Sequence, residues 1–171
     1  FDLARKSVSG NFSKNAKTIT VKTITLDTVW RQHLPANAVI ESVIVDVEGF
    51  EQQVLLGGKA LLSSPQRPKM LHIEVWSKQS GVTRTKFPGL ELLVATGYKL
   101  STWFGGFKPD YSQGRPGRIP PDLSDFAETT TALCVKAKSA LPEQQCLIEV
   151  IAVLAEHEPA YFAELKKRRT R

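Results

Sequence analysis

The sequence predicts an open, largely parallel α/β sheet followed by a C-terminal helical extension. Three observations lead there. Short apolar or β-branched runs alternate with segments whose apolar residues recur at helical spacing. The run Val43-Ile44-Val45 is continuous and bounded by polar residues, the pattern of a strand covered on both faces. Pro35, Pro65 and Gly97 fall where helical segments end.

Taken in order, residues 1–17 are polar and turn-rich and read as loop. Ile19, Val21 and Ile24 stand among threonines, which suits a strand. Leu26 to Trp30 opens a short helix with Asp27 at its N-cap, ended by Pro35. After the Val43–Val45 strand, Phe50, Val54, Leu55, Leu61 and Leu62 recur at helical spacing, and Pro65 closes that helix. Met70 to Trp76 is the next strand. Thr85 to Thr96 is a helix through Leu90, Leu92, Leu93 and Val94, with Gly97 at C′. Tyr98 to Phe104 and Thr130 to Val135 are further strands. Between those two, Gly105 to Asp122 holds four glycines and four prolines, as in a functional loop or a disordered insertion. From Pro142 onward, Leu147, Ile148, Ile151, Val153 and Leu154 read as the apolar face of a helix, which Pro159 breaks before a final polar helix. The expected division is therefore an α/β domain over residues 1–140 and a helical extension with a basic tail over 141–171.

The bulk properties narrow the class. With 171 residues the chain can build one domain with a real core, since chains near ~150 residues bury roughly 68–70% of their unfolded surface. A composition 42% hydrophobic and 23% charged, without low-complexity runs, is that of a globular protein. No apolar stretch approaches the roughly 20 residues of a membrane span, and no signal-peptide pattern opens the chain. Its start at Phe1, not Met, is that expected of a fragment or a processed product. The net charge of +6 sits mainly in Lys166, Lys167, Arg168, Arg169 and Arg171, which leaves the body near neutral. That distribution reads as a solvated helix end complementing the macrodipole. A nucleic-acid partner is not expected, because the tail has no interleaved aromatics. Cys134, in an apolar run, and Cys146, in the helical pattern, make no disulfide framework, so a reducing compartment such as the cytoplasm is favoured.

The chemistry concentrates in Val45-Asp46-Val47-Glu48-Gly49-Phe50-Glu51. A buried strand delivers Asp46 and Glu48 at its carboxyl end, Gly49 turns the chain, and Glu51 falls in the first turn of a helix. In open α/β sheets ligands sit beyond that edge of the strands. A helix dipole accounts for Glu51 but not for Asp46 and Glu48. Glu74 ends the next strand on the same edge. His72 shares its strand face and reads as a core histidine, while His33 and His157 read as surface residues at helix ends. Trp76 and Trp103 either wall a pocket or pack the core. No His/Cys/Asp cluster has metal-ligand spacing, and no Gly-x-Ser-x-Gly nucleophile motif is present.

The run Asp46-Val47-Glu48-Gly49, with Glu51 two positions on and Val54-Leu55-Leu56-Gly57-Gly58 following, resembles the signature of FkbM-type methyltransferases. Thr23-Ile24-Thr25-Leu26-Asp27 before it and Arg67-Pro68 through Glu74 after it continue the resemblance, which covers about residues 18–104. It implies the C-terminal part of a class I methyltransferase, Rossmann-like sheet, and S-adenosylmethionine as methyl donor. It further implies Asp46, Glu48 and Glu74 as catalytic residues, Asp46 and Val47 beside the cofactor, and Glu48, Glu51 and Trp76 on the acceptor side. The acceptor would be a small molecule, such as a sugar or metabolite hydroxyl. The chain departs from the pattern in one respect: before Asp46 it has one glycine, Gly10, and no Gly-x-Gly turn to cradle a cofactor. The alternative reading is a non-catalytic, truncated sheet kept as a binding or interaction module.

Overall fold

A computed structural model describes residues 21–79, 82–83, 86–103, 117–118, 123 and 145–169. The predicted loop over 1–17, the Thr130–Val135 strand and all but a few residues of the Gly/Pro-rich segment lie outside them. The helices are α1 (Leu26–His33), α2 (Glu51–Leu56), α3 (Lys59–Leu62), α4 (Pro88–Ala95) and α5 (Glu158–Arg169). The strands are β1 (Ser42–Val45), β2 (Met70–Gln79), β3 (Val82–Thr83), β4 (Tyr98–Trp103), β5 (Gly117–Arg118) and β6 (Gln145–Leu154).

The strands form one sheet in the order β1-β2-β6-β4-β5, with β3 paired to β2. The expectation of a largely parallel sheet is corrected: it is mixed. Among the described residues only β1–β2 is a parallel pair, whereas β6 runs antiparallel to both its neighbours, β2 and β4. β2 and β4 therefore point the same way with a reversed strand between them. This β6 also replaces the helix expected from Pro142. Leu147 to Leu154 is rich in β-branched residues, and Val150, Ile151, Ala152, Val153 and Leu154 are all buried. When every position is buried, helical and strand periodicities coincide in the sequence, and β-branching should have decided between them. The proposed boundary near residue 140 consequently runs through one sheet, and helix begins only at Glu158, with Lys166 to Arg169 in its last turns.

The core lies on one face of the sheet. Val45, Leu71, Ile73, Val75, Val150, Ala152, Leu154 and Leu100 meet Leu55, Leu62, Leu90 and Leu93 from the helices. On β1 this produces alternation: Val45 is 2% exposed and Ile44 is 75% exposed. The strand predicted to be covered on both faces is covered on one among the described residues.

Three local expectations also change. Residues 21–25 form no strand, and Val21 and Ile24 are exposed; β propensity counts only where a neighbouring strand is there to pair. The N-cap of α1 is Thr25, whose side chain accepts from the Thr28 amide at 3.1 Å. Asp27 instead accepts from the amides of Ala60 and Leu61 at 3.0 and 2.9 Å, capping α3. The single helix expected from Phe50 to Leu62 is two, α2 and α3, separated at Gly57-Gly58. α4 falls inside the helix expected from Thr85 to Thr96 but starts at Pro88, its N-cap being Phe87, and β4 follows Gly97, which sits at φ 95° just past the helix. Among the described residues no helix is long and apolar enough to cross a membrane.

Candidate active site at the carboxyl edge of the parallel pair

The β1–β2 register runs from Ser42 opposite Met70 to Val45 opposite Ile73. One step further, Asp46 and Glu74 come level, and their side chains share a hydrogen bond. Two carboxyl groups this close disfavour double ionisation. Partial burial, first, then the charge of Asp46, that hydrogen bond, and the charges of Glu149 and Glu48 all hold the Glu74 carboxyl above its ordinary value.

Beyond Asp46 the chain reverses through Val47-Glu48-Gly49-Phe50, with the Phe50 amide donating to the Val47 carbonyl at 3.3 Å. Both central residues have positive φ, 51° at Glu48 and 101° at Gly49, as in a type I′ turn. Gly49 adopts this freely. Glu48 does not, because a left-handed residue with a Cβ costs roughly 1–2 kcal/mol. Backbone outliers of this kind concentrate at functional sites. Asp46, Val47, Glu48 and Phe50 are all exposed there, so charge and apolar surface are presented together.

Glu51 stands apart from the exposed carboxylates. It is fully buried, and its Oε1 accepts from the Gly49 amide at 2.6 Å. Phe50, the N-cap of α2, makes no side-chain cap bond, so Glu51 supplies the reach-back contact at this helix start. Gln52 is also buried, and its Oε1 accepts from the Gly89 amide at 2.8 Å, fastening α2 to the first turn of α4. Trp76 lies in β2 opposite Leu147, and its side chain is outside the described part.

The structure thus brings together Asp46, Glu48 and Glu74. It adds Glu149, which pairs directly with Glu74 across β2–β6. Sequence reasoning missed Glu149, although a lone charge inside Leu147-Ile148-Glu149-Val150-Ile151 was an available signal. His72, read as a core residue, is partly exposed along its side chain while its Nε2 is buried, 3.8 Å from the Glu149 carboxylate. Among the described residues no group of three or more His, Cys, Asp and Glu side chains is arranged to hold a metal ion.

Residues 2–100 match the family model of the methyltransferase FkbM domain. The chain belongs to the FkbM methyltransferase family. The match includes α1 through the start of β4, and so the whole Asp46–Glu74 edge of this FkbM domain. No curated protein and no solved structure matches the chain. β6 and α5 lie beyond the matched span, so Glu149 reaches this edge from outside the matched residues.

Proposed function

We propose that this FkbM chain works in S-adenosylmethionine-dependent methylation of a hydroxyl oxygen on a small acceptor, a sugar or metabolite. The observation that carries the reading is the hydrogen-bonded Asp46–Glu74 pair, flanked by Glu48 at the carboxyl edge of parallel strands. A cationic sulfonium cofactor suits such an edge, because exposed carboxylates attract positive charge and β1 ends there without a basic side chain. Asp46 and Val47 would lie against it. Bound S-adenosylmethionine supplies an electrophilic methyl group on sulfur.

The chain's own residues do the rest. Asp46 takes the acceptor hydroxyl proton at a carboxylate oxygen, which makes the oxygen nucleophilic as it is alkylated. Glu74, paired with Asp46, fixes which Asp46 oxygen faces the acceptor. Glu48, held out by the turn, hydrogen-bonds a neighbouring acceptor hydroxyl and orients it. The exposed faces of Val47 and Phe50 give the acceptor ring or chain an apolar rest.

The test is calorimetric binding of S-adenosylmethionine, followed by transfer of labelled methyl to a panel of monosaccharides. Micromolar binding and label in a sugar ether support the reading. Asp46→Asn should then lower turnover by about a hundredfold or more, the size of a general-base contribution. Neither binding nor transfer would sink it and leave the non-catalytic binding module as the function of this sheet.

A further inference from the structure

We infer that Glu51 is a positioning residue: by holding the Gly49 amide it locks the left-handed turn that presents Glu48 to the acceptor. This rests on the methyl-transfer reading above and assigns to Glu51 a role other than touching substrate.

The argument starts from what keeps the turn closed. Its own backbone bond, Phe50 to Val47, is long at 3.3 Å, whereas the Gly49–Glu51 contact is 2.6 Å. The shorter bond is also charge-assisted and buried, which makes it the stronger of the two. Two consecutive positive φ values, one at a glutamate, persist only when the surroundings over-determine them. Glu51 is placed to do that, since it opens α2 and the adjacent Gln52 ties α2 to α4. Position is thereby passed from the packed helices through one carboxylate to the turn and on to Glu48. The second oxygen, Oε2, is buried with no hydrogen-bond partner among the described residues. A buried carboxylate half-satisfied in this way is costly, so a capping role alone gives it little reason to be there. Holding the turn requires one acceptor oxygen at the Oε1 position, which glutamine also has.

The full chain is compared with E51A and E51Q by two readouts: exchange of the Gly49 amide proton by NMR, and kcat/KM for whichever monosaccharide of the panel the unmodified chain methylates. In E51A the Gly49 amide should exchange at least about tenfold faster. Its kcat/KM should fall by about tenfold to a hundredfold through misplacement of Glu48, with E51Q restoring both to within about threefold. Where E51A fails to fold, G49A strains the turn with the carboxylate intact and should reproduce the kinetic loss in a folded protein. Unchanged Gly49 exchange in folded E51A overturns the inference. So does an E51Q that protects Gly49 yet stays as impaired as E51A, because charge rather than position would then matter. If the unmodified chain methylates nothing, the methyl-transfer reading fails and Glu51 loses its catalytic purpose; the exchange readout still reports separately whether it holds the turn.

Discussion

Glu74 is where the electrostatics of single residues become measurable in stability. Its carboxyl titrates above the ordinary 4.5, because burial and the carboxylates of Asp46, Glu149 and Glu48 disfavour its charge. The folded chain therefore binds this proton more tightly than the unfolded one. The stabilisation is fully present below about pH 4.5 and is lost as pH rises through the raised folded value. Glu74→Gln removes that loss. In urea titrations at about pH 4 and about pH 7, the variant should gain on the parent chain as pH increases; a constant difference would mean the four carboxylates do not interact as placed. At this scale the sequence was informative about Asp46 and Glu48, which flank a strand-turn-helix junction visible in one dimension, and about Glu74, which ends the next strand. It marked Glu149 as a lone charge in an apolar run but not its partner, because Glu149 meets Glu74 through a pairing between distant segments.

Among the elements, the junction of α1 with α3 shows how a local rule can be right in kind and wrong in place. Asp27 looked like the cap of its own helix, and it is a cap, but of α3, whose first-turn amides it receives in two hydrogen bonds. Thr25 was free to take over α1. The division of the expected helix at Gly57-Gly58 goes with this arrangement: the Asp27 amide donates to the Gly57 carbonyl at 3.0 Å, so the break docks onto the start of α1. A Cβ on Gly58 would stand 2.8 Å from a Leu26 methyl, which explains the close approach. Asp27→Ala should cost about 0.5–2 kcal/mol, the range of lost helix caps, read as a lowered urea midpoint with unchanged slope. A loss below a few tenths of a kcal/mol would show that water replaces the carboxylate. Helix ends marked by Pro35, Pro65 and Gly97 were legible because they depend on backbone chemistry alone. The reach of Asp27 to residues 60 and 61 was not, because it depends on how α1 lies against α3.

Over the whole molecule, the decisive element is the one read least well. β6 occupies the middle of the sheet, burying Val150, Ala152 and Leu154 against the same helices that cover β2 and β4. Truncation after residue 144 should therefore abolish the cooperative unfolding transition. A truncated chain that still melted cooperatively would show the β1–β2 half to be self-sufficient. The alternation of strands and helices was enough to predict an α/β sheet but not its mixed polarity, because the pattern within a strand reports which of its faces are covered and only indirectly the direction of its neighbours. The position of β6 also has a consequence for synthesis. Met70 pairs with Val153 and Tyr98 with Leu154, so the two flanking strands leave the ribosome well before the strand that separates them. Until residue 154 emerges, β2 and β4 are apolar neighbours of like direction with an empty slot between them, able to zip together wrongly. Chains whose long-range pairings close late fold slowly and expose strand edges meanwhile. The nascent protein should thus be most dependent on chaperones during translation of the stretch between β4 and β6, and a pause there would lengthen its vulnerable interval.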